Sequence, residues 1–301
     1  MKILIFGAGY LGTRCAENWT KEGHEVVISP VHVLTVEDAL AEIRVHKPDA
    51  VFNAAGVKGK PNVDWCEDHA LETIRGNTVL PLLMADACQQ EGVYFLHIGS
   101  GCVYYGDSPH PDKMWRENDP ANPSVVYSRS KYAADLALTT LKNVGIARIR
   151  MPLDNEPNPG NLIDKLASYK EVIDVENSVT IVEDMINVFR QLMEKKGEGI
   201  FHVTNPGTIR HQEILKMYEE IIDPTHTCHW INNEELVARG LAKKGRSNNF
   251  LASERLGQIG ITMRPMREAL RDTMEKYARK QKGCSCKECG CGEGCCGGCC
   301  G

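Results

Sequence analysis

Lys2-Ile3-Leu4-Ile5-Phe6, followed without a break by Gly7-Ala8-Gly9-Tyr10-Leu11-Gly12, is the stretch on which the fold turns. The apolar run reads as a strand buried on both faces, and the pattern from Tyr10 to about Glu22 reads as a helix. Three glycines between a strand and a helix suit a dinucleotide pyrophosphate. Gly7 permits a tight turn, Gly9 lets the backbone approach the anion, and Gly12 lets the helix pack closely on the strand. The helix N-terminus then faces the negative charge, with Tyr10 and Leu11 in the same cradle.

Working outward, Glu25 to Ser29 reads as a second strand. Where an NAD-preferring protein usually shows a carboxylate for the adenosine ribose, the chain has Ser29-Pro30-Val31-His32. NADP is therefore admitted, with Ser29 or His32 available to its 2′-phosphate, and NAD stays open. Residues 36 to 47 read as a helix and Asp49 to Phe52 as a strand ending in Asn53-Ala54-Ala55-Gly56, small residues that leave room for a ligand at the sheet edge. A broken helical region from Val63 to about Gln90 contains Asn77. A strand at Val93 to Ile98 runs into Gly99-Ser100-Gly101-Cys102-Val103-Tyr104, and one at Ile146 to Arg150 meets Met151-Pro152.

Strands alternating with helices imply an α/β protein with a Rossmann-type, doubly wound parallel sheet. The expected division is a nucleotide-binding domain over 1–151, to which 178–204 return. A smaller, mostly helical substrate lobe follows from 152–177 and 205–282, and 283–301 form a Cys/Gly-rich tail.

Composition narrows the class. A net charge of -5 over 301 residues, with no basic stripe, argues against nucleic acid as a partner. No apolar run approaches the roughly 20 residues that span a bilayer, and the N-terminus lacks a cleavage-site pattern. A soluble, cytoplasmic protein is expected, with a homodimer as one possible assembly.

Tyr127-Ser128-Arg129-Ser130-Lys131 places a phenol and an ammonium four residues apart at a helix start. On one helical face the cation can favour the phenolate, so that the tyrosine moves protons nearer neutral pH. Spacing alone is weak evidence, since such pairs are common on surface helices.

In order, the glycine turn, Asn53 to Gly56, Ser100, Tyr127 and Lys131 resemble the extended short-chain dehydrogenase/reductase superfamily. Further blocks sharpen the resemblance over most of residues 1 to 275. They are Val51 to Val57, Pro61-Asn62-Val63-Asp64-Trp65-Cys66-Glu67, Glu72 to Arg75, Arg148-Ile149-Arg150-Met151-Pro152, Thr204 to Gly207 and Arg246-Ser247-Asn248-Asn249. Together they resemble the plant-type nucleotide-rhamnose synthases, relatives of dTDP-4-dehydrorhamnose reductase. The resemblance implies an NAD(P)H-dependent oxidoreductase that epimerises a UDP- or dTDP-linked 4-keto-6-deoxyglucose at C3 and C5, then reduces C4.

Carried onto this chain, Tyr127 would protonate the C4 oxygen, Lys131 would hold the nicotinamide ribose and lower the tyrosine's pKa, and Ser100 would hydrogen-bond the carbonyl. Asn77 completes the tetrad. Cys102 and Lys165 fall at the family's epimerase Cys and Lys; read alone, Cys102 serves equally as core filling and Lys165 as a solvated helix residue. Met151 joins the cofactor residues, while Asp64, Trp65, Arg246, Asn248 and Asn249 are candidates for the sugar and diphosphate. The plant-type proteins commonly carry a lysine and a threonine within the glycine turn, and a basic residue near His32; this chain has neither. Two other readings stand beside this one: a 4-keto reductase without epimerase activity, and a non-catalytic nucleotide- or metal-binding protein.

Cysteine use changes sharply along the chain. Cys15, Cys66, Cys88, Cys102 and Cys228 are scattered, whereas Cys284, Cys286, Cys289, Cys291, Cys295, Cys296, Cys299 and Cys300 crowd the tail. Scattered thiols fit a reducing compartment. The tail cannot form an apolar core, and its thiols suit soft ions such as Zn(II) or Cu(I); a dispensable appendage is the alternative reading.

Overall fold

A computed structural model describes residues 1–60 and 62–281. The cysteine tail, with its eight candidate metal ligands, lies outside the described residues, as does Pro61.

Six parallel strands form the central sheet: β1 (Lys2–Phe6), β2 (Glu25–Ser29), β3 (Ala50–Asn53), β4 (Tyr94–Ser100), β5 (Val144–Ile149) and β6 (Gly199–Val203). Their spatial order is β6-β5-β4-β3-β1-β2. Every residue of β4 and β5 is buried, which explains why these strands are nearly continuous in apolar residues rather than alternating. Between β1 and β3 the winding reverses direction, and the two strands are hydrogen-bonded neighbours there. An open α/β sheet binds its ligand in the crevice beyond the strand ends at such a reversal.

Helices cover both faces. On one, α1 (Tyr10–Lys21) and the amphipathic helix Val182–Lys195 bury Cys15, Trp19, Met185, Phe189 and Leu192 against the sheet. On the other, α2 (Val36–His46), α3 (Leu80–Glu91) and α4 (Val126–Leu138) bury Leu40, Ile43, Met84, Ala134 and Leu138. A third core joins Leu153, Ile163, Leu166 and Val172 to Ile214, Leu215, Leu270 and Tyr277.

The expected elements are present with boundary shifts of a residue or two, and β6 returns to the sheet as its edge strand beside β5. The broken helical region before α3 has two interruptions. His69 leaves helical geometry between Trp65–Asp68 and Ala70–Ile74, and Arg75–Val79 form a wider π turn that continues into α3. Such turns recur at functional sites, and Asn77 lies within this one. Among the described residues, no helix is long and apolar enough to cross a membrane.

Candidate active site

The glycine turn closes on the loop after β3. Gly7 has φ +109°, and a Cβ there would stand 2.5 Å from the Ala55 nitrogen. A Cβ on Gly12 would fall 2.0 Å from the Gly7 carbonyl oxygen. Both positions therefore exclude any side chain. Around Gly9, which caps α1, a Cβ would meet nothing within 4 Å. The first and third glycines are thus consumed by the fold, whereas the second presents bare backbone to open space at the helix N-terminus, as a pyrophosphate site requires. Leu11 packs on the core beneath.

Tyr10 turns away from this cradle. Its hydroxyl donates to Asp154 at 3.0 Å and its ring lies against Gly160, so its side chain ties the turn to the 154–161 loop. Arg14, one helical turn on, donates to both oxygens of Asp154 at 2.8 and 3.1 Å. Burial and the Asp154 carboxylate push the Tyr10 phenol well up.

Asn53 is also spent on architecture. Its side-chain oxygen accepts from the Ala55 backbone at 2.9 Å and its amide meets the buried His97 ring at 3.0 Å, which fixes the Ala54–Gly56 turn. Ser29 is buried and accepts from the Val31 backbone at 3.1 Å, while His32 is exposed at the end of β2. Met151 holds φ +44° at the end of β5, a conformation costly for a side-chain-bearing residue and found where surroundings impose it.

Ser100 ends β4, and its hydroxyl accepts from the Cys102 backbone at 3.2 Å, shaping the short turn Gly101–Val103. Tyr127 and Lys131 share α4, whose first turn is fixed from outside: the Glu67 carboxylate accepts from the Val126 backbone at 2.7 Å. The buried Lys131 ammonium donates to the Ile98 carbonyl at 3.0 Å. A Cβ on Gly56 would lie 3.3 Å from that ammonium and 3.1 Å from the Asn77 oxygen, so the glycine keeps the lysine's surroundings clear.

Burial pushes the Tyr127 phenol up, the Cys102 sulfur adds to this, and a hydrogen bond to Ser100 opposes it. The Lys131 ammonium is pushed down to about 8 by burial, against the pull of Asp135.

Ser100, Cys102 and Tyr127 thus form one group. Cys102 is half-buried, with the Arg150 guanidinium 3.4 Å from its sulfur. Lys165 stands apart on α5 (Leu162–Ser168), half-buried, and is lowered by burial and then by Lys58. Asn161 caps α5 and its side chain also binds the Asp154 backbone, so Lys165 is anchored through the same loop that Tyr10 and Arg14 hold.

The candidate sugar and diphosphate residues all have partners within the protein, though only Arg246 and Asp64 pair with each other. Arg246 makes a two-pronged ion pair with Asp64 at 2.8 and 2.9 Å. Asn249 donates to the Gly101 and Tyr104 carbonyls at 3.1 and 2.9 Å, bracing the Cys102 turn from the far side. Asn248 accepts from Asn177 at 3.1 Å. Trp65 stacks on His69 with ring centroids 3.7 Å apart. Sequence reasoning gave no separate role to Arg150, Asp154, Glu67 or Lys58. An arginine in a strand as apolar as Ile146 to Met151 was a usable signal for the first.

A nucleotide cradle at the winding reversal that opens onto a serine, a tyrosine and a lysine is the organisation of the extended short-chain dehydrogenases/reductases, a class of NAD(P)H-dependent oxidoreductases. Within it, residues 1–279 match the model of the RmlD substrate binding domain, and the chain belongs to that family. It is 36% identical over 260 residues to a bifunctional dTDP-4-dehydrorhamnose 3,5-epimerase/dTDP-4-dehydrorhamnose reductase of Arabidopsis thaliana, covering 84% of this chain and 86% of the relative. The crystal structure of the L780 UDP-rhamnose synthase from Acanthamoeba polyphaga mimivirus superposes with a TM-score of 0.85 at 30% identity, covering 92% and 99% of the two chains. A Bacillus anthracis dTDP-4-dehydrorhamnose reductase in complex with NADP shares the fold, with a TM-score of 0.78 at 20% identity over 92% and 98% of the chains.

Proposed function

We propose that the chain converts a nucleotide-linked 4-keto-6-deoxyglucose to the nucleotide-linked L-rhamnose, as a 3,5-epimerase and 4-reductase using NADPH. The observation that carries this is the convergence of two proton-handling sets on one turn: Ser100 and Tyr127 for the C4 oxygen, and Cys102 between them and Arg150.

A bound NADPH supplies the hydride. Bare backbone at Gly9 and the absence of a side chain at Gly56 support a place for its phosphates and ribose, and Lys131 is the residue assigned to the ribose. Tyr127 donates its proton to the C4 oxygen as the alkoxide develops, and the raised phenol retains that proton at neutral pH until then. Ser100 holds the same oxygen. During epimerisation this pair also stabilises the negative charge that reaches the C4 oxygen when an α-proton is removed. Cys102 and Lys165 are the two groups assigned to that proton. The lowered Lys165 ammonium suits exchange with carbon acids.

Residues 152–177 and 205–282 are taken as the substrate lobe, with Arg246 exchanging Asp64 for the diphosphate on binding. Supplying UDP- and dTDP-4-keto-6-deoxyglucose with NADPH or NADH, and identifying the product by NMR, tests the reading. Rhamnose stereochemistry supports it, a C4-reduced but unepimerised sugar reduces it to a reductase, and no consumption of either sugar overturns both.

The tail is assigned to soft-metal binding on its chemistry alone, eight thiols between Cys284 and Cys300. Elemental analysis of the full chain against one ending at Lys282 tests it; equal metal content in the two would contradict it.

A further inference from the structure

We infer that Arg150 is the positioning residue and counter-charge of Cys102, so that the thiol side of the epimerase set, opposite Lys165, is the pair Arg150–Cys102 rather than a lone thiol. This rests on the epimerase reading of Cys102.

The Arg150 guanidinium is 1% exposed, and among the described residues no carboxylate is paired with it. Its Nη2 donates to the Asn177 side chain and the Ser247 carbonyl. Its Nη1 lies 3.4 Å from both the Cys102 sulfur and the Ser247 hydroxyl, and its Nε, also buried, has no partner. These neutral partners fix the fork in space but leave its charge uncompensated. Buried charges are normally paired, and a guanidinium stays protonated in proteins. The neighbours able to offset that charge are the Cys102 thiol and the Tyr105 phenol.

Whether Cys102 removes the α-proton or returns one, one of its two states is an anion. When sulfur gives its proton to carbon, the enolate pair forms the C–H bond and the S–H pair stays on sulfur, 3.4 Å from a fixed positive charge; when the thiolate takes a proton from carbon, its pair becomes the S–H bond and the C–H pair passes to the enolate oxygen at C4. Arg150 also spans the site. It begins at the end of β5, reaches Cys102 after β4, and grips Asn177 and Ser247 across the cleft. Asn177 and Ser247 therefore fix the guanidinium that faces the sulfur. Nothing comparable is attached to Ser100 or Tyr127, so the reducing half does not depend on it in the same way.

Alkylation of Cys102 tests this without turnover. The full chain is treated with anionic iodoacetate or neutral iodoacetamide, Cys102 labelling is followed by peptide mass spectrometry, and N-acetylcysteine in the same tube is the reference. Beside a fixed cation, Cys102 favours iodoacetate relative to the reference. In Arg150→Met that preference falls by roughly 10-fold or more, and Arg150→Lys restores most of it. An Arg150→Met protein that binds NADPH yet keeps the wild-type preference would overturn the inference. If that variant does not fold, the wild-type ratio decides, and a value equal to that of N-acetylcysteine overturns it. Absence of sugar turnover with the iodoacetate preference intact would instead remove the epimerase reading and leave the pair standing.

Discussion

The Asn77 side chain holds both ends of one distant residue: its oxygen accepts from the Val57 nitrogen and its amide donates to the Val57 carbonyl, each at 2.8 Å. A third bond, from the amide to the Ser130 hydroxyl at 3.1 Å, carries the connection to the helix of Tyr127 and Lys131. Asn77→Ala leaves the half-buried Val57 backbone groups unpaired and should cost about 1 kcal/mol or more in denaturant unfolding. Because the same bonds set the space around Gly56 and Lys131, NADPH affinity should fall with stability. A variant of wild-type stability and affinity would contradict this.

The two glycines of the cradle make opposite predictions. Gly7→Ala forces a side chain 2.5 Å from the Ala55 backbone at a positive φ, and should unfold or severely destabilise the chain. Gly9→Ala meets no protein atom, so its melting temperature should stay close to wild type while NADPH binding weakens roughly 10-fold or more, as expected when one methyl intrudes on a fitted site. Calorimetry and nucleotide fluorescence titration separate these outcomes.

Arg14 and Asp154 form a buried ion pair across 140 residues of sequence. Removing one partner of such a pair costs about 3–5 kcal/mol, because the other charge stays buried. Asp154→Asn should show that loss. It should also slow epimerisation more than C4 reduction of pre-epimerised sugar, since through the Asp154 carboxylate Tyr10 and Arg14 hold the loop whose backbone anchors the cap of the Lys165 helix. Equal loss in both half-reactions would argue against that anchoring role.

Lys131 gives a pH signature. Its ammonium sits at about 8 in the fold against an ordinary 10.5, so between those values the unfolded chain binds the extra proton. Rising pH therefore stabilises the fold across that window, by up to about 1.4 kcal/mol per pH unit, and the burial cost is fully present below about 8. Lys131→Met removes this term. Its stability advantage over wild type should shrink from pH 8 to pH 10; an advantage that is constant with pH would contradict the assignment.

Much of the scaffold could be read from local pattern. The run from Lys2 to Gly12 decides the winding, because burial on both faces demands an unbroken apolar strand and the close approaches at Gly7 and Gly12 admit no side chain. The Tyr127 and Lys131 spacing located α4. What spacing did not reveal was side-chain partners: Lys131 donates to the Ile98 carbonyl, Tyr10 to Asp154, and Arg246 is paired with Asp64. Each of these partners is set by how the loops meet in three dimensions, over separations of up to 182 residues. The π turn at Asn77 was legible only as a break, since Gly76, Asn77 and Thr78 are weak helix formers but do not say which irregular turn replaces the helix.

If Ser100 with Tyr127 and Cys102 with Lys165 act as two separate proton sets, deuterium uptake distinguishes them. The nucleotide-4-keto-6-deoxyglucose is incubated in D2O without NADPH, and C3 and C5 are followed by NMR for wild type, Tyr127→Phe and Cys102→Ser. Wild type should incorporate deuterium, and Tyr127→Phe should still do so, more slowly because Ser100 alone then holds the C4 oxygen, although it loses NADPH oxidation when the coenzyme is added. Cys102→Ser should incorporate none at one or both carbons, yet still reduce pre-epimerised sugar. Undiminished deuterium uptake in Cys102→Ser, or none in wild type, would contradict the account.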